Sequence, residues 1–399
     1  MLDQTFSART LHRLCSVSEV IEFGLGGKTD EQICFFEEIA SKINHDNFEL
    51  SEFKCFKRNG KPVYKAKNKY DHFAIKKANE NIKRIFSVSS SDRRLLVNQI
   101  KVLLEENSPF HIVKVDISSF FESVDKKELL DKCWDNPILS HLTKKIITNL
   151  LDDGQFKNKS GLPRGLSVSA TLSELYLEDL DKHIREMEGI YYSARYVDDI
   201  VIFCIPTATE TQEKVEEYIT KMGLSINRGK TETKRNKTDK YPIIIDYLGY
   251  QFCKSENGVS VDIAPNKVKK IKTRIIKSFL SYLKDGNFYL LEKRLQFLTG
   301  NFSLDSKSKV EGEPLKTGIY YNYSEISPDA PSLDQLDSFL IKLIYSKHNS
   351  LGKKIRSRLT PRQRRALRKY SFKTGFHKKI THKFSYLDVV LIRRCWTNE

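Results

Sequence analysis

Apolar and polar positions along the chain switch between two periods. "HIVKVDI" (His111–Ile117) alternates with period two and predicts a strand. "YYSARYVDDIVIFCI" (Tyr191–Ile205) reads as two short strands that meet at Asp198 and Asp199. Around them the pattern is helical. Ser167–Ile184 predicts one amphipathic helix, and Lys214–Asn227 predicts a helix that ends near Gly223 and leads into a strand. Residues 1–50 read as helical and fairly acidic, and residues 54–94 as basic and polar, with "KRNGKP" (Lys57–Pro62) as a hairpin-like turn. After Phe252 the character changes. A helix is predicted from Pro265, a favoured first helical position, with Val268, Ile271, Ile275, Phe279 and Leu283 on one face and lysines on the other. Residues 301–332 are polar and turn-rich, and an amphipathic helix follows over about 333–347. Thr360 and Pro361 carry the N-cap and first-turn chemistry of a further helix.

Composition narrows the class. The 399 residues are 39% hydrophobic, enough for two or three domains or one large multi-subdomain enzyme. A formal charge of +17 points to a polyanionic partner, nucleic acid ahead of an anionic membrane surface. From Leu351 to Leu387 there are thirteen Lys and Arg and no Asp or Glu. Such a run repels itself unless a polyanion lies against it. No apolar run approaches the roughly 18 residues of a membrane span, and Met1–Leu14 has no signal-peptide core. Seven scattered cysteines without a CxxC pair suggest neither a zinc ribbon nor a disulfide framework, so a reducing cytoplasm is expected. "GLGGKTD" (Gly24–Asp30) lacks the spacing of a phosphate loop and reads as a turn.

The chemistry gathers at three carboxylates. Asp116 closes one predicted strand, and Asp198 and Asp199 sit between two others. Carboxylates at strand ends of one sheet can converge, and an oxygen-rich, strongly negative site suits Mg²⁺. Two such ions roughly 4 Å apart activate a hydroxyl and stabilise a leaving pyrophosphate, which points to nucleotidyl transfer.

"VDISSFFESVD", "GLPRGLSVSA", "YVDD" and "GLSINRGKT", followed by "IDYLGYQF", resemble in order and spacing the palm motifs of reverse transcriptases, over about residues 80–252. The resemblance implies an α+β, right-hand polymerase: fingers and an N-terminal extension over 1–110, a palm of antiparallel sheet and helices over 111–252, and a helical thumb with a basic C-terminal extension over 253–399. It implies two Mg²⁺ ions, with Mn²⁺ as an alternative, held by Asp116, Asp198, Asp199 and the Ile117 carbonyl. Phe121 falls at the position of the ring that excludes a 2′-hydroxyl. Pro163, Arg164 and Gly165 fall on the floor of the nucleotide pocket, and Lys83 and Arg84 match basic residues that hold the triphosphate. Lys230 matches a general acid for the pyrophosphate, and Gly249 and Tyr250 match the turn that grips the primer. The chain departs from the family pattern with Arg164 where Gln is usual and Ala170 where Pro is usual; Arg164 adds a cation near the triphosphate or template.

No endonuclease segment of the group II intron kind is visible, and the stretch after Phe252 is too short for a thumb plus a ribonuclease H domain. "PRGLSVSATLSELYL", "RLQFLTGNF" and "GIYYNY" resemble bacterial defence-associated reverse transcriptases, the abortive-infection enzymes among them. The start "MLDQTFS" and the length resemble the smaller polymerase of systems that pair two reverse transcriptases with a non-coding RNA; retron enzymes are the rival match. The expected partners are therefore a non-coding RNA template, dNTPs, the DNA product and a second reverse transcriptase, with no membrane. Template-independent or protein-primed synthesis, and a non-catalytic RNA-binding scaffold, are the alternatives. In the basic segment, Arg362, Arg365 and Lys369 fall on one helical face, expected to contact RNA phosphates, with Tyr370, Phe372 and Phe376 expected to stack on unpaired bases.

Overall fold

The computed structural model describes residues 3–25, 29–58, 60–89, 91–236, 242–304, 316–348 and 350–397. It divides into two compact units, residues 1–92 with 108–237 and residues 93–107 with 238–399. The division differs from boundaries at 110 and 252. Residues 243–263 pair among themselves, and the Arg93–Glu105 helix packs on them.

The first unit holds a hairpin of β1 (Phe53–Arg58) and β2 (Lys61–Ala66). Its turn includes residue 59, outside the described residues, as are residues 26–28 of the Gly24–Asp30 turn. Its main sheet is antiparallel, with order β4-β5-β3-β6: β3 (Phe110–Asp116), β4 (Ile190–Tyr196), β5 (Asp199–Cys204) and β6 (Glu232–Asn236). β3 and β5 are the central strands, and Val113, Val115, Ile200 and Ile202 are buried in one core with the helices. The N-terminal helices join that core through Phe6, Leu11, Phe36 and Ile39.

Two predicted elements differ in detail. Ser167–Ile184 is two helices, Ser167–Tyr176 and Glu178–Glu186. Leu177, at φ −88° and ψ 2°, bends the chain between them, yet its N–H still reaches Ser173 O and its carbonyl still accepts from Asp181 N. The helix before Gly223 spans Ala208–Lys221, but the strand expected right after it begins only at Glu232; Ile226 makes a single bridge to Ile117.

In the second unit, β7 (Ile243–Tyr247), β8 (Tyr250–Ser255) and β9 (Gly258–Ile263) form an antiparallel meander. The Pro265–Asp285 helix buries Val268, Ile271, Ile275 and Phe279, while Leu283 is only half-buried and Tyr282 takes the inner position beside it. The second predicted helix is Pro331–Tyr345. A small sheet joins β10 (Asn301–Leu304), β11 (Lys316–Gly318) and β12 (Thr381–Phe384), with β10 parallel to β12. Residues 305–315 of the turn-rich stretch lie outside the described residues. Among the described residues, no helix is long and apolar enough to cross a membrane.

Candidate functional site

Strand register brings the carboxylates to one end of the main sheet. Asp116, the last residue of β3, lies directly opposite Asp199, the first residue of β5. Asp198 is in the β4–β5 turn, and its carbonyl accepts a bond from Ile117 N at 3.1 Å. Asp116 is 8% exposed, and Asp198 and Asp199 are half-buried. Burial pushes Asp199 up to about 7, with repulsion from Asp116 and Asp198 adding to it and Lys114 opposing. Asp198 is raised in the same way, burial first. Lys230 answers part of this charge: its Nζ donates to Asp116 Oδ1 and Oδ2 at 2.9 and 3.1 Å, and that bond raises its own pKa.

Among the described residues, no group of three His, Cys, Asp or Glu side chains is gathered closely enough to hold a metal as it stands. Lys230 occupies the Asp116 oxygens instead. The donor set nevertheless fits a hard divalent cation: three carboxylates, mutually repelling and partly dehydrated, offset in part by Lys230 and Lys114. Asp116, Asp198 and Asp199 are the side chains that would hold it.

The loop before the Ser167–Tyr176 helix is built against β2 and Phe121. Tyr64 N donates to Arg164 O at 2.7 Å, and Leu162 N donates to Phe121 O at 2.7 Å. Gly165, at φ +96°, has no room for a side chain: a Cβ would stand 2.6 Å from Tyr64 O. Pro163 is buried, and its carbonyl accepts from Ser169 Oγ at 2.6 Å. Phe121 is half-buried, with the Arg164 guanidinium 4.8 Å from its ring centre. The Arg164 cation is held by a carboxylate. Its Nε and Nη2 bind both oxygens of Glu122 at 2.8 and 2.9 Å, and Lys61 joins at 3.2 Å. That fork holds Glu122 at about 2. Lys83 and Arg84 are exposed in the last turn of the Lys69–Ile85 helix, where Arg84 pairs with Glu80 at 2.9 Å.

In the second unit, Leu248 (φ +49°) and Gly249 (φ +82°) form the tight turn between β7 and β8, with Tyr250 buried behind it. Sequence reasoning passed over Arg93, which holds this turn. Its Nε and Nη2 donate to Leu248 O at 2.9 and 2.6 Å, and its guanidinium lies 4.8 Å from the Tyr250 ring centre. Glu122 was also passed over, although it sits one residue from Phe121.

The basic segment is corrected in two respects. Tyr370, Phe372 and Phe376 are 8%, 0% and 6% exposed, so they are core side chains and not a stacking platform. The segment is also met by acids from elsewhere in the unit at two positions. Lys369 pairs with Glu292 at 3.4 Å, Lys373 with Asp334 at 2.9 Å, and Arg364 donates to the Arg356 and Leu359 carbonyls. Thr360 closes a capping box with Gln363, and Arg362, Arg365 and Lys369 stay on the exposed side.

Residues 60–252, just under half of the chain, match the family described as reverse transcriptase (RNA-dependent DNA polymerase). The matched stretch is similar to that family and contains Asp116, Phe121, Arg164, Asp198, Asp199 and Lys230. Among solved structures the chain is similar to apo telomerase from Candida tropicalis truncated from the C-terminal domain, at 12% identity and a TM-score of 0.41. The likeness covers 59% of this chain and 63% of that one, so the chain spans less than two thirds of that structure's length. No curated protein matches the chain significantly.

Proposed function

We propose that the protein synthesises DNA on a bound RNA template by nucleotidyl transfer at Asp116, Asp198 and Asp199. The observation that carries this reading is the facing of Asp116 and Asp199 across β3 and β5, with Asp199 pushed up to about 7 by burial and by its neighbours. Three carboxylates converging at one sheet end, partly buried and mutually repelling, suit a divalent cation. Bound divalent ions would supply activation of the primer hydroxyl and neutralisation of the triphosphate.

The chain's own side chains do the rest. Lys230, kept protonated by Asp116, would give its proton to the leaving pyrophosphate. The Phe121 ring, backed by Arg164, excludes a 2′-hydroxyl and so selects dNTPs. Lys83 and Arg84 contribute positive charge for the triphosphate, and Gly249 and Tyr250 grip the primer. Arg362, Arg365 and Lys369 bind RNA phosphates. The setting we infer is bacterial antiphage defence, with a non-coding RNA as template and a second reverse transcriptase as partner; the motif variant "PRGLSVSATLSELYL" supports it.

Incubating the protein with Mg²⁺ and labelled dNTPs, with and without its co-purifying RNA, tests the reaction. RNA-dependent, Mg²⁺-dependent DNA is expected, and RNA binding without synthesis would leave only a scaffold. Phe121→Ala should raise GTP use relative to dGTP while weakening dNTP use. An unchanged ratio would reduce Phe121 to a packing residue.

A further inference from the structure

Arg195 is the penultimate residue of β4 and is 9% exposed. A guanidinium so buried is costly unless its donors are matched. Here they are. Nε and Nη2 bind Asp181 Oδ1 and Oδ2 at 2.8 and 2.6 Å, and Nη1 lies 2.8 Å from Glu174 Oε2. Nη1 also donates to Val197 O at 3.0 Å.

That last bond is the informative one. Val197 stands in the β4–β5 turn at φ +61°, a left-handed conformation that a β-branched side chain resists. The next two residues are Asp198 and Asp199. On the far side of the turn, Ile117 N holds Asp198 O at 3.1 Å. The turn is therefore pinned by one bond from Ile117, the residue that follows β3, and by the other from the Arg195 side. The two carboxylates that hold Arg195 come from different helices, Ser167–Tyr176 and Glu178–Glu186, on either side of the bend at Leu177. A backbone conformation disfavoured by its own residue persists only where its surroundings over-determine it.

We propose that Arg195 is a positioning residue for the carboxylate turn: by holding the Val197 carbonyl it keeps the strained turn, and with it Asp198 and Asp199, in the arrangement that receives a divalent cation. This rests on the reading of those carboxylates as metal ligands. It assigns the Arg195–Glu174–Asp181 cluster a part in cation affinity, beyond packing. Val197 is the residue through which the effect passes, which makes the proposal testable by relief of strain.

The test uses the full chain and follows Mn²⁺ binding by electron paramagnetic resonance, beside metal-free melting and steady-state kinetics. Arg195→Gln should weaken Mn²⁺ binding by roughly 10- to 100-fold, the usual loss when a group supporting metal ligands is removed. kcat should fall and the dNTP KM should change little. Adding Val197→Gly, which adopts φ +61° freely, should recover a large part of the Mn²⁺ affinity without restoring the lost melting temperature. Glu174→Gln, which leaves the Asp181 fork intact, is the gentler variant if Arg195→Gln does not fold; it should weaken Mn²⁺ binding severalfold. A folded Arg195→Gln or Glu174→Gln protein with wild-type Mn²⁺ affinity overturns the proposal, as does a double variant in which Val197→Gly restores nothing. A wild-type protein that binds no Mn²⁺ and makes no DNA overturns the reading of the carboxylates on which it rests.

Discussion

The carboxylate end of the main sheet and the cationic run from Leu351 to Leu387 are both charge concentrations of one sign, and the fold treats them oppositely. The acids are brought together and partly buried, with Lys230 and Lys114 offsetting only part of the cost, so that two of them rise in pKa and one reaches about 7. The bases are spread over short helices at the surface, and acids from distant parts of the sequence come to meet them: Glu292 to Lys369, and Asp334 to Lys373. The acids are thus crowded and partly withdrawn from water, whereas most of the bases stay at the surface, where solvent screens them. That distinction separates crowded, partly buried charge from solvated surface charge.

The contrast breaks most severely at Asp198. Asp198→Asn should abolish DNA synthesis while RNA binding survives. Because it removes a repelling charge, melting without divalent ions should be unchanged or slightly higher. Robust synthesis by this variant in a primer-extension assay would end the metal assignment.

The basic surface should give a graded loss. Replacing Arg362, Arg365 and Lys369 by Ala should weaken RNA binding across sequences and flatten its logarithmic salt dependence, since each neutralised phosphate contributes about 0.7 to 0.9. Lys369 already has Glu292, so the expected change is nearer two phosphates than three, about 1.4 to 1.8 in slope. Filter binding from low to high salt measures it, and an unchanged slope means the RNA lies elsewhere.

The acidic site should also leave a pH signature. With Asp199 at about 7, the folded chain keeps a proton that the unfolded chain releases near about pH 4. Its contribution to stability is complete below that lower value, shrinks as pH rises and is gone above 7. Asp198 acts in the same direction. Glu122, held at about 2, stays ionised throughout and adds no slope between pH 5 and 8. Metal-free melting should therefore fall from pH 5 to 8 and fall less in Asp199→Asn. Mg²⁺ should raise melting more at pH 8 than at pH 6, because it no longer competes with that proton. Equal pH slopes in wild type and Asp199→Asn would remove Asp199 as the cause.

The smallest effect is expected at Glu292. Glu292→Gln removes the acid beside Lys369 and keeps an acceptor for Tyr370 Oη, so RNA affinity should rise slightly and steepen in salt. No gain would mean that Lys369 does not reach phosphate.

What could be read from the sequence follows the same division. Asp116, Asp198 and Asp199 were legible because alternation places them at strand ends and antiparallel pairing brings strand ends together. Capping at Thr360 and Pro361 was legible because its chemistry spans only four residues. The partners of Arg164, Lys369 and Arg195 were not, because an ion pair across 14, 42 or 77 positions leaves no periodicity. Tyr370, Phe372 and Phe376 misled for a related reason. Aromatics among lysines have the composition of a nucleic-acid surface, and only the packing of the second unit reveals which way they face.

The membership of residues 93–107 in the second unit has a consequence for synthesis on the ribosome. The Arg93–Glu105 helix buries Leu96, Val97, Ile100 and Leu104, and it packs on β8 and β9, which follow it only after most of the first unit. At about 5 to 20 residues per second, its apolar face waits on the order of 10 s for that sheet to emerge. During that interval the first unit can close around its own core, while this helix is left as the nascent chain's most exposed adhesive surface. A chaperone that meets the chain between those two moments should therefore be found bound at Leu96–Leu104.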